Sequence, residues 1–177
     1  HLVSISEDNT AIVWNLTKNT HRVLDKAIFA PYYEMKINTA RFSPDGKMMV
    51  IAYSDRTARI WSTNGNLIAT LMGHTGNVFD AAFTENGKKI YTVSEDNTVR
   101  WWDSNGDYIN WFSFGGSQKI NQITVNAKAN YIYAGVPDGS IQVRITAGGI
   151  YERIVKSEYY EYFKAHRERY SDIDSQN

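Results

Sequence analysis

The stretch SEDNTVRWWD occupies Ser94–Asp103. A near copy, SEDNTAIVWN, occupies Ser6–Asn15, and a looser one, SDRTARIWS, occupies Ser54–Ser62. Aligned on Trp14, Trp61 and Trp102, the copies recur at roughly forty residues, the spacing of a repeat architecture. A second landmark keeps the same step: FSPDGK at Phe42–Lys47 and FTENGK at Phe83–Lys88. A fainter fourth unit follows, with TVNAKAN at Thr124–Asn130 and PDGSIQVR at Pro137–Arg144.

One unit reads as four short strands. Asn77–Phe83 is β-rich, TENGK turns at Gly87, and Lys89–Ser94 is a second strand. Glu95–Asn97 is a tight turn in which Asp and Asn satisfy nearby backbone donors. Thr98–Asp103 and Tyr108–Phe114 are the third and fourth strands, joined across Asn105-Gly106. Asn64-Gly65 and Asn86-Gly87 are further hairpin-type turn pairs. Turns recur too often to leave room for long helices. A four-stranded sheet of this size cannot bury both faces alone, so it must stack on neighbours.

Gly73-His74, then FTENGK, then YTVSEDNTVRWWD ending at Trp102-Asp103 resembles one near-complete repeat of the WD-repeat (WD40) β-propeller family. The resemblance extends over residues 1 to about 150. It implies an all-β fold of four-stranded antiparallel blades. The expected organisation is a partial blade at 1–30, blades at 31–72 and 73–115, a degenerate blade at 116–156, and a C-terminal helix and tail at 157–177. Residue 1 falls inside a second strand, and family propellers usually carry more blades. The expectation is therefore the C-terminal portion of a larger propeller. The missing blades would come from the same polypeptide or, less simply, from another chain.

In the family, a His, a Ser or Thr, an Asp and a Trp form a buried hydrogen-bond chain in each complete blade. The matching residues in the third unit are His74, Thr92, Asp96 and Trp102. The first unit retains Ser4, Asp8 and Trp14. The second retains Asp55 and Trp61, with Ile51 in place of the hydroxyl and Tyr32-Tyr33 in place of Gly-His. The fourth retains Asp138, with Ala134 and Arg144 in place of the hydroxyl and Trp. A Thr–His–Asp trio also has the make-up of a nucleophile, base and orienter, but catalysis needs an exposed hydroxyl and an oxyanion site. Buried between strands and bonded to an indole, Thr92 reads as structural.

The remaining composition narrows the field. The 177 residues carry 19 basic and 19 acidic side chains, for a net charge of zero. That balance speaks against a nucleic-acid binder, whose affinity rests on clustered Lys and Arg. With no Cys there is neither a disulfide framework nor a thiolate metal site, which fits a reducing, cytoplasmic setting. No apolar run approaches the ~20 residues of a membrane helix. His1, His21, His74 and His166 lack metal-ligand spacing. FGGSQK at Phe114–Lys119 lacks phosphate-loop spacing. Glu7-Asp8 and Glu95-Asp96 sit in repeated turns, unlike a catalytic carboxylate pair. No cofactor, metal or catalytic residue is expected.

Two segments break the repeat. Phe29–Ile37 (FAPYYEMKI) is an aromatic insert that lengthens the first step. Ser157–Tyr170 reads as a helix, with Ser157 as N-cap and Tyr159, Phe163, His166 and Tyr170 on one face. It either caps the last blade or meets a partner.

The family resemblance implies a non-catalytic protein–protein interaction scaffold within a larger protein or complex. Its partners would be proteins or peptides, received on the face that carries the loops between second and third strands and between successive blades. Tyr32, Arg56, Asn77, Phe79, Glu95 and Asn97 are the candidates there. Two alternatives stay open: a sensor propeller of a signalling or NTPase protein, and a purely structural subunit of a ciliary, trafficking or RNA-processing assembly.

Overall fold

The computed structural model describes residues 1–24 and 35–113, and the backbone of four further strands within 122–154. The described chain is all-β and antiparallel. The first sheet holds β1 (Leu2–Ile5), β2 (Ala11–Asn15) and β3 (Thr20–Leu24). The second holds β4 (Ile37–Phe42), β5 (Met48–Tyr53), β6 (Ala58–Ser62) and β7 (Leu67–Leu71). The third holds β8 (Val78–Phe83), β9 (Lys89–Ser94), β10 (Thr98–Asp103) and β11 (Tyr108–Ser113). The fourth holds β12 (Gln122–Val125), β13 (Tyr131–Gly135), β14 (Ile141–Ile145) and β15 (Tyr151–Ile154). Within each sheet the strands follow chain order, as short turns require. The four strands expected across 77–114 form with ends within a residue of expectation. The proposed C-terminal helix, Tyr32 and Asp138 lie outside the described residues.

Register decides which side chains meet. In the third sheet, Ala81, Thr92, Arg100 and Trp111 stand in one row, and Phe83, Ile90, Trp102 and Tyr108 in another. Because side chains alternate along a strand, both rows share one face. That face packs on the second sheet: Val50, Ala52, Ala58, Ile60 and Leu71 meet Val78, Ala81, Phe83, Ile90 and Trp102 in one buried cluster. The opposite face of the second sheet, with Met49, Ile51, Tyr53 and Trp61, packs on Ala11, Val13 and Leu24 of the first. Each fully buried Ile, Leu or Val contributes about 1.5–3 kcal/mol relative to exposure, so the sheets hold together mainly through these two seams. The expectation that one sheet cannot bury its own faces is thus realised by stacking.

Polar bonds fix the seam between the second and third sheets in register. Asn38 of β4 donates from Nδ2 to Asn77 Oδ1 and to the Val78 carbonyl, both at 2.7 Å. Arg41 of β4 grips the buried Asp80 of β8 through two nitrogens, at 3.1 and 2.7 Å. A bidentate guanidinium–carboxylate pair sets direction as well as distance. The strands β4 and β8 therefore lie side by side with one alignment.

Candidate functional site: the turn face

Three equivalent turns emerge on one edge of the stacked sheets, between β1 and β2, β5 and β6, and β9 and β10. Each is built around an Asp that accepts from a Thr two residues on. Asp8 Oδ1 takes the Thr10 amide at 2.9 Å and its hydroxyl at 2.6 Å. Asp55 treats Thr57 alike, at 3.0 and 2.6 Å. Asp96 does the same with Thr98, at 3.0 and 2.6 Å. The residue between Asp and Thr is left-handed each time: Asn9 (φ 66°), Arg56 (φ 73°) and Asn97 (φ 61°). Asn tolerates this region through its short polar side chain, whereas a long side chain such as Arg gains no such local bond.

Behind the third turn runs a continuous hydrogen-bond chain. His74 Nδ1 lies 2.9 Å from Asp96 Oδ2, and His74 Nε2 lies 2.8 Å from Thr92 Oγ1. Trp102 Nε1 donates to the same hydroxyl at 3.0 Å. Asp96 only accepts when ionised, so Nδ1 carries the ring proton and the Thr92 hydroxyl donates to Nε2. Burial pushes the His74 pKa below its ordinary value, against the pull of Asp96. Burial also opposes ionisation of Asp96, but its bonds with Thr98, Thr75 and His74 outweigh it and lower the pKa. Thr92 is fully buried. With its proton committed to His74 and its lone pair to an indole, it is closed to substrate.

The other two sheets build this corner differently. In the first, Trp14 Nε1 donates to Ser4 Oγ at 2.9 Å. In the second, Ile51 offers no acceptor, and Trp61 Nε1 is buried without a hydrogen bond. The Tyr53 hydroxyl approaches that indole without closing a bond of good geometry. No His among the described residues reaches Asp55. Instead Arg59, buried on β6, donates to Asp55 Oδ2 at 2.5 Å and lies 4.4 Å from the centroid of the Tyr53 ring. Sequence reasoning noticed the missing His and hydroxyl but not this substitute. The signal was present in the alternation of β6, which aims Arg59 at the same face as Trp61.

The candidate contact residues divide on this face. Arg56 and Glu95 are exposed at their turn tips. Asn77 is half-buried and its side chain is engaged by Asn38. Phe79 is half-buried. Asn97 is half-buried, with its Oδ1 buried and unbonded. Between the first and second sheets, Ile5, Ser6, Glu7, Asn9, Lys36, Ile37 and Asn38 line a cavity of about 630 Å³. None of those seven was named individually from the sequence for binding, although Lys36 and Ile37 belong to the aromatic insert, which offered either a partner surface or packing between blades. Equivalence of Glu7 and Asn9 with Glu95 and Asn97 was the available signal for two of them. Among the described residues, no cluster of His, Cys, Asp and Glu could hold a metal ion. No helix among them is long and apolar enough to cross a membrane.

The turn geometry, the Asp–Thr pairs and the His–Asp–Thr–Trp chain are those of WD repeats, and the family model described as WD domain, G-beta repeat matches residues 30–62 and 65–103. Within residues 30–103 the chain carries two WD repeats. Similar curated proteins include the human F-box-like/WD repeat-containing protein TBL1Y, 36% identical over 44% of this chain and 17% of that protein. The mouse F-box-like/WD repeat-containing protein TBL1X is 34% identical over 44% of this chain and 16% of that protein. The match thus spans less than a fifth of these relatives. WD repeats generally mediate protein–protein interaction, and WD-repeat proteins are generally non-enzymatic.

Proposed function

We propose that this WD-repeat chain is a non-catalytic scaffold that receives a protein or peptide on its turn face, across the first two sheets. The observation that carries this is Arg56. It occupies the left-handed position that Asn fills in the two sister turns, and it is exposed. Holding a non-glycine residue there costs about 1 kcal/mol, and strain kept at an exposed tip points to use rather than to packing. Beside the first turn, Glu7, Asn9, Lys36 and Asn38 give the cavity both charge signs and amide groups. That lining suits the mixed donors and acceptors of a peptide backbone with charged side chains.

The test uses the full chain as bait and quantifies the co-purifying proteins. Arg56→Asn restores the residue of the sister turns, so it should raise stability by up to about 1 kcal/mol. The same variant should deplete a discrete set of recovered partners, and Lys36→Glu should deplete the same set. Lys47→Gln, remote from this face, should leave that set intact. A recovered set unchanged by both Arg56→Asn and Lys36→Glu would refute the proposal.

A further inference from the structure

Arg59 and Arg100 occupy the same place in successive sheets, each opposite the residue that precedes the turn Asp by four: Ile51 and Thr92. Their environments differ. Arg59 is neutralised by Asp55 and covered by Tyr53. The equivalent carboxylate in the third sheet, Asp96, is occupied by His74, Thr75 and Thr98. Arg100 is therefore left without an ion pair or side-chain hydrogen bond among the described residues, and its Nε is buried with no partner. A guanidinium donor withheld from both water and protein carries a desolvation penalty that nothing offsets.

Arg100 is half-buried, opposite Thr92 and within electrostatic reach of His74. Its guanidinium lies against Gly73, where a Cβ would collide with Nη1 and also touch the far edge of the Trp102 ring. The left-handed φ of 140° and the lack of a side chain at Gly73 are what let the cation lie there. Beside it, Trp111 stands in the same cross-strand row and is 51% exposed. Met72, next to Gly73, is 70% exposed. An unpaired cation in one row with a half-exposed indole, and one residue along the chain from its Gly73 contact an exposed Met72, make a mixed site at the seam between the second and third sheets.

We infer that this seam docks an extended acidic peptide whose carboxylate side chain pairs with Arg100 while apolar neighbours cover Trp111 and Met72. Charge complementarity selects the occupant. A basic segment would leave two cations facing each other, and a purely apolar one would bury Arg100 further without satisfying it. In an extended peptide, residues two apart share a face. An acidic residue with apolar residues two positions away on either side therefore presents the required set. The site lies away from the turn face and does not depend on the function proposed above.

The experiment titrates the full chain into fluorescein-labelled Leu-Ser-Glu-Ser-Leu, blocked at its C-terminus as the amide, and follows anisotropy. Binding is expected, weakening with added salt. Arg100→Gln should reduce affinity by about tenfold, the loss of one charge-assisted bond. Trp111→Ala should reduce it as well, and this exposed site keeps the test usable should Arg100→Gln not fold. Lys47→Gln, which removes an equal charge elsewhere, should have no effect. The inference is overturned if the Gln-for-Glu peptide binds equally well, if Trp111→Ala and a folded Arg100→Gln both bind like the parent, or if the acidic peptide does not bind at all.

Discussion

Asp55 and Asp96 anchor equivalent turns, yet one is met by a buried guanidinium and the other by a neutral imidazole. That difference has a pH consequence. His74 has its pKa lowered by burial, so the folded state resists protonation where the unfolded chain accepts it near the ordinary value of 6.5. Its contribution is fully present above that value and is lost as pH falls towards the folded pKa. Asp96 is also lowered, from 3.8, so its contribution is lost further down, below that value. Thermal melts from pH 8 downward should therefore show a fall in Tm below about pH 6.5 and a second near and below about pH 4. In His74→Gln the first fall should be reduced relative to the parent, with the whole curve displaced to lower Tm. An unchanged first fall would mean that another group governs it.

The strands owe their ends to turns, and two of those turns rest on glycine for different reasons. Gly46 is left-handed at φ +68°, with nothing within 4 Å of where a Cβ would lie. Gly106 is left-handed at φ +99°, and a Cβ there would come within 2.5 Å of Ala69 Cβ on β7. The hairpin between β10 and β11 thus packs its tip directly onto the second sheet. Gly46→Ala should cost only the backbone term, about 1 kcal/mol. Gly106→Ala should cost about 2–4 kcal/mol, since it must also push the second and third sheets away from each other at a well-packed point. Urea denaturation of the two variants side by side checks the ranking, and equal losses would contradict the packing argument. Asn-Gly at both Asn64-Gly65 and Asn105-Gly106 was legible as a turn. That Gly106 serves as a contact between sheets was not, because its partner lies in the preceding repeat.

For the whole molecule, the decisive asymmetry is in the first sheet. One face, through Ala11, Val13 and Leu24, is buried on the second sheet. The register places Leu2, Ile12, Trp14 and Val23 on the other face, where Leu2 and Val23 are each 52% exposed. Among the described residues, β1 also has no strand on the edge away from β2. An apolar face beside an open strand edge favours association. Sedimentation velocity across a dilution series should show this chain self-associating, and the double variant Leu2→Lys, Val23→Lys should shift it towards monomer. A parent that sediments as a monomer throughout would refute this.

The repeated SEDNT wording by itself determined the strands and their turns, because those depend on local alternation and on residues two to four positions apart. The resemblance to WD repeats that this wording carries singled out His74, Thr92, Asp96 and Trp102. Which arginine would be satisfied was not written there. Arg59 and Arg100 follow near-identical strand patterns, and only the folded packing gives Asp55 to one and lets His74 withhold Asp96 from the other. The same holds for the cavity between the first two sheets. These outcomes belong to the tertiary structure because each depends on how surfaces some forty residues apart in sequence meet.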